Sequence, residues 1–121
     1  MERVLVVSGS ERGREFLREL LRGQEYGQGF FADNSGEARR RMGEDDFSLV
    51  IINAPLRDES GEQLALWAAQ STDAGVLLLV KAEIADEVSA RVEDSGAMVL
   101  PKPISRQFFC QSLKLVSAAR R

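Results

Sequence analysis

With 121 residues, the chain is the size of one domain that can bury its own core without a metal or disulfide staple. Hydrophobic residues at 44% and charged residues at 29% are ordinary for a soluble globular domain and argue against both disorder and a membrane span. A net charge of −3 gives no basic footprint for nucleic acid, the single Cys110 excludes an internal disulfide, and the lack of histidine takes the main ligand or catalyst from zinc, haem and histidine-base chemistry.

Met1-Glu2-Arg3 and the short apolar run behind it are too brief for a signal peptide, which points to the cytoplasm. Val4-Leu5-Val6-Val7, closed by Ser8-Gly9-Ser10, predicts a buried first strand and a turn. A helix follows, with Ser10 as N-cap, Glu11 in the first turn, Phe16, Leu17, Leu20 and Leu21 on one face, and Gly23 at its end. Residues 29–32 predict a second strand, and Asn34 with Glu37 reads as a capping box opening a polar helix through Met42.

A third strand over residues 47–52 stops at Asn53-Ala54-Pro55, since proline cannot continue a central strand. Ser60 with Gln63 starts a helix that carries Leu64, Trp67 and Ala68 inward. Residues 76–80 predict the fourth strand, followed by a helix with Ile84, Val88 and Val92 on one face and Gly96 at its end. Met98-Val99-Leu100 is the fifth strand, ending at Pro101-Lys102-Pro103, and Ser105 caps a last helix running to the C-terminus.

Five apolar strands alternating with five helices describe an α/β domain over residues 1–121, a parallel sheet covered by helices on both faces. In such a sheet the functional site lies at the C-terminal strand ends, here Ser8-Gly9-Ser10, Asn53-Ala54-Pro55, Lys81-Ala82-Glu83 and Pro101-Lys102-Pro103. The strand spacing, Gly61-Glu62 after Asn53 and the closing Lys102-Pro103 resemble a response-regulator receiver domain over nearly the whole chain. The resemblance implies the strand order 2-1-3-4-5. It also implies a phosphoacceptor pocket in which two acidic residues hold Mg²⁺, an Asp accepts the phosphoryl group, and a Thr or Ser and a Lys complete the set.

Against that pattern this chain keeps only Lys102. Ser8 and Gly9 stand in place of the acidic pair, Asn53 in place of the phosphoacceptor, Lys81 in place of the hydroxyl, and Val99 in place of the aromatic switch residue. A neutral amide is a poor nucleophile that forms no acyl phosphate, and a hard divalent cation is poorly served without a carboxylate. The expected domain is therefore a metal-free and cofactor-free pseudo-receiver, not an enzyme. For Lys81 and Lys102 two readings stand. They form a pocket that holds an anion or an internal ion pair with Glu11, Asp58 or Glu83, or both heads snorkel to water, the more usual fate of lysine.

Several segments, among them Ile51-Ile52-Asn53-Ala54-Pro55-Leu56 and Lys102-Pro103-Ile104-Ser105-Arg106-Gln107, look like the atypical receivers attached to ANTAR RNA-binding antitermination domains. That likeness makes this the N-terminal part of a longer regulator, or else a domain that stands alone, and leaves RNA binding to a domain outside it. Two other functions compete. Ser8-Gly9-Ser10-Glu11-Arg12-Gly13 is an ordinary capped turn or a flavodoxin-type loop for a flavin or other small ligand, and Asp58 is a candidate displaced phosphoacceptor. Cys110 reads as a small half-buried hydrophobe and Arg39-Arg40-Arg41 as a solvated face. In the last helix Phe109, Leu113 and Val116 face the sheet, which leaves Phe108 and Leu115 either as a wider core stripe or as the interface of a homodimer or partner complex.

Overall fold

The structure is a computed structural model that describes residues 2–24 and 26–119. Its elements alternate throughout: β1 (Glu2–Ser8), α1 (Glu11–Leu21), β2 (Tyr26–Ala32), α2 (Ser35–Glu44), β3 (Leu49–Asn53), α3 (Gly61–Ser71), β4 (Gly75–Lys81), α4 (Ala82–Val92), a 3-10 turn (Glu93–Ser95), β5 (Met98–Lys102) and α5 (Arg106–Ala119). The five strands form one parallel sheet in the order β2-β1-β3-β4-β5. The order expected from the sequence is the one observed.

Successive strand residues point to opposite faces, so these continuous apolar runs fill two cores. Val4, Val6, Leu49, Ile51, Leu77, Leu79 and Leu100 pack with α1 and α5, through Leu17, Leu20, Phe109, Leu113 and Val116. Leu5, Val7, Val50, Ile52, Leu78 and Val80 pack with α2, α3 and α4. The N-caps read from sequence all form, with the side chains of Ser10, Asn34, Ser60 and Ser105 accepting from the backbone N–H of Gly13, Glu37, Gln63 and Phe108. Gly23 follows the end of α1 at φ 87°, and Gly96 at φ 92° closes the 3-10 turn after α4, which itself ends earlier, at Val92; a Cβ would be strained at both glycines.

The structure corrects several expectations. Phe16 is 45% exposed, because α1 centres its buried stripe on Leu17 and Leu20 and a neighbour one residue away is rotated about 100° off that line. Ile84 is 44% exposed, because it lies in the first turn of α4, which begins directly where β4 ends and has not yet folded back over the sheet. Trp67 does pack inward against the core, though only half-buried, with the Arg39 guanidinium over its ring at 4.8 Å. Phe47 is buried but precedes β3, and its ring meets Phe30 edge-on at 5.7 Å. β5 runs on through Pro101 to Lys102, which an edge strand with a single neighbour tolerates. Among the described residues, no helix is long and apolar enough to cross a membrane.

Candidate functional site

The parallel register brings the strand-end residues together in pairs: Ser8 lies beside Asn53 across β1 and β3, and Lys81 beside Lys102 across β4 and β5. From these positions three side chains join. Asn53 Nδ2 donates to Ser8 Oγ at 3.2 Å, and its Oδ1 accepts from Lys102 Nζ at 3.0 Å. Lys102 Nζ also donates to the carbonyl of Ala54 at 2.5 Å. Ser8 is fully buried, and its hydroxyl donates to Ser10 O and accepts from Ser10 N. The amide of Asn53 therefore has both ends engaged, and no buried side-chain nitrogen or oxygen lacks a partner among the described residues.

The two lysines behave differently. Lys81 is exposed, as the snorkelling reading expects. Lys102 turns inward and does not. Burial, and secondarily the charge of Lys81, hold its pKa below the ordinary lysine value. None of Glu11, Asp58 and Glu83 forms an ion pair with either lysine among the described residues. Asp58 instead caps α2, accepting from the backbone N–H of Ser35 at 2.9 Å and Gly36 at 3.0 Å, bonds that pull its pKa down. That places its carboxylate at a helix N-terminus and away from the Asn53 network.

Guanidinium groups occupy the carbonyls at the end of β1. Arg14 donates to Ser8 O at 3.0 Å and to Asp33 Oδ1 at 2.8 Å, and Arg57 donates to Gly9 O at 3.4 Å. The residues present do not fit Mg²⁺. Neutral Ser8 and Asn53 supply no negative charge, the nearby carbonyls face arginines, and no group of three or more acidic, cysteine or histidine side chains suited to a metal exists among the described residues.

Sequence reading missed Arg14 and Arg57, and named Gly13 only as the end of the Ser8 to Gly13 loop without its contact to Asn53. A Cβ built on Gly13 would stand 2.5 Å from Asn53 Nδ2 and 2.7 Å from Ser8 Oγ, so α1 rests directly on the network. The signal that could have found it is a glycine in a first helical turn, a costly choice that usually marks a close approach. The Ser8 to Gly13 segment forms the capped turn, with Ser10 Oγ bonded to Gly13 N at 2.8 Å. Val99 is half-buried against the core shared by α2, α3 and α4. Phe108 and Leu115 lie apart from this site on α5 and are 43% and 59% exposed, so neither belongs to a wider core stripe.

No protein-family model matches the chain, and no curated protein does. Solved structures do. A signal receiver domain of a putative LuxO repressor protein from Vibrio parahaemolyticus superposes with a TM-score of 0.85 at 22% identity, over 98% of this chain and 91% of that one. The signal receiver domain of an HD domain-containing protein from Pseudomonas fluorescens gives 0.83 at 22% identity, over 98% and 88%. A response regulator from Thermotoga maritima, crystallised with Mg²⁺ and BeF, gives 0.80 at 24% identity, over 96% and 99%. Likeness at such identities establishes the architecture alone, and that architecture is the CheY-like receiver fold.

Proposed function

We propose that this domain is a pseudo-receiver, a non-enzymatic interaction or dimerisation module of a cytoplasmic signalling regulator that takes no phosphoryl group. The observation that carries the reading is Asn53. At the end of the central strand, where an acceptor carboxylate would stand, its amide is engaged by Ser8 on one side and Lys102 on the other. An amide bonded in this way offers no lone pair of useful nucleophilicity, and the cationic surroundings supply nothing to hold a divalent ion.

A domain without phosphorylation still regulates if association shifts an equilibrium. Phe108 and Leu115 on α5 expose apolar side chains that the core does not use, Ile84 on α4 does the same, and β5 is a sheet edge, which supports a homodimer built around the last helix. The finer assignment, to receivers that precede ANTAR antitermination domains, rests on the sequence segments that resemble them. It gives RNA contact to a separate domain.

The test is to incubate the protein with acetyl phosphate and Mg²⁺ and to measure intact mass. The expected result is an unmodified chain. A stable phosphoryl adduct overturns the reading, and peptide mapping would tell Asp58 from any other acceptor.

A further inference from the structure

Beside the Asn53 network the strand ends open into a groove of about 500 Å³ between α1 and the segment after β5. Its size falls in the range of small-molecule sites. Phe16, Pro103 and Ile104 make the accessible apolar part of its lining over a floor of buried Leu17 and Leu79, and Arg12, Lys81 and Lys102 are the cationic residues that border it. Phe16 is a half-exposed aromatic ring that the core does not use.

The charges are uncompensated. Among the described residues Arg12, Lys81 and Lys102 form no ion pair, whereas Arg14, Arg39 and Arg91 each have a carboxylate. Lys81 and Lys102 are register neighbours on β4 and β5, close enough for the charge of Lys81 to act on Lys102 although one head reaches water and the other turns inward. An ammonium has three donors, and Lys102 spends two on Asn53 and Ala54, leaving a third in the groove that it lines. A bare inorganic anion would use the cations and leave the apolar lining wet. A neutral apolar molecule would do the reverse.

We propose that this groove binds a small amphiphilic carboxylate, an organic acid with a short acyl or aromatic body, whose apolar part lies over Phe16, Pro103 and the edge of Ile104 and whose carboxylate bridges Lys81 and Lys102. The bound anion offsets the repulsion between the two ammonium groups, and charge-assisted hydrogen bonds fix its orientation. The inference goes beyond the pseudo-receiver reading and stands independently of it, because neither phosphorylation nor dimerisation enters the argument.

The experiment is an amide-resolved NMR titration of the whole chain with octanoate and with 3-phenylpropanoate, set against 1-octanol and inorganic phosphate. At least one acid is expected to shift Gly13, Phe16, Lys81 and Ile104 saturably, and to bind roughly tenfold or more tightly than either control. Lys81→Gln is expected to weaken the acid by about tenfold and to leave 1-octanol unaffected. Phe16→Ser, at a half-exposed position that leaves the core intact, is expected to weaken both. The proposal is overturned if neither acid binds, if phosphate or 1-octanol binds as tightly as the acids, if Lys81→Gln changes nothing, or if the shifts gather around Phe108.

Discussion

Lys102 Nζ donates to Asn53 Oδ1 at 3.0 Å, so the cation at the end of β5 is held by a neutral amide and forms no ion pair with a carboxylate among the described residues. Asn53→Asp converts that contact into an ion pair and should raise the pKa of Lys102, which burial and Lys81 now depress. It supplies a nucleophile and nothing else. Ser8 and Gly9 still offer no metal charge, and Lys81 still stands where a hydroxyl would be needed. The substituted protein is expected to show no Mg²⁺-dependent labelling by acetyl phosphate in intact-mass measurements. Efficient labelling would mean that one carboxylate suffices.

Gly13→Ala tests how closely α1 sits on the network. Alanine is the better helix former by about 1 kcal/mol, but its Cβ would meet Asn53 Nδ2 at 2.5 Å and Ser8 Oγ at 2.7 Å. Overpacking of this kind costs about 1 to 3 kcal/mol, so net destabilisation is expected in urea unfolding. Gly43→Ala in α2 is the control, since nothing lies within 4 Å of its Cβ, and it should stabilise by roughly 0.5 kcal/mol. If both substitutions stabilise, the network yields to α1 and the close approach has no energetic weight.

Phe108→Glu combined with Leu115→Glu addresses association. Both side chains are exposed, so the fold is expected to survive with its circular dichroism and thermal midpoint nearly unchanged, while an unpaired carboxylate at an apolar interface disfavours the dimer. Sedimentation velocity should show wild type dimerising with concentration and the double variant monomeric. Wild type that stays monomeric at high concentration would remove the proposed interface.

Acid sensitivity should trace in part to Glu59. The Ser35 hydroxyl donates to Glu59 Oε1, and Arg39 Nη2 lies 2.6 Å from Oε2; the hydroxyl first and then the guanidinium hold the carboxyl pKa below its ordinary 4.5. A depressed folded-state pKa contributes stability that is present above pH 4.5 and is lost as pH falls through the lowered value. Glu59→Gln is thus expected to be less stable than wild type at neutral pH, by about 0.5 to 1 kcal/mol, with the gap closing as acid is added. A gap that is constant with pH would assign the loss to packing.

The amino-acid sequence by itself determined the five strands, the helices between them, the four N-caps and the strand ends where chemistry would gather. These are local properties: an apolar run, a capping hydroxyl or amide and a proline stop each act within a few residues. It also determined that Asn53 lacks a carboxylate, because residue identity alone decides nucleophilicity.

Only the tertiary structure decided where charge and exposure fall. Lys81 and Lys102 look alike in sequence, yet one reaches water and the other turns in to Asn53 and Ala54, because the Lys102 side chain on edge strand β5 reaches past β4 to the end of β3, 49 residues away in sequence. Phe16 and Ile84 follow helical spacing and still lie outside the cores, since periodicity gives the angle of a side chain around its helix but not where that helix crosses the sheet. Arg14 reaches the carbonyl of Ser8 from the first turns of α1, a local contact, whereas Arg57 reaches the carbonyl of Gly9 from the loop after β3, a contact that exists only once parallel register has set the ends of β1 and β3 beside one another.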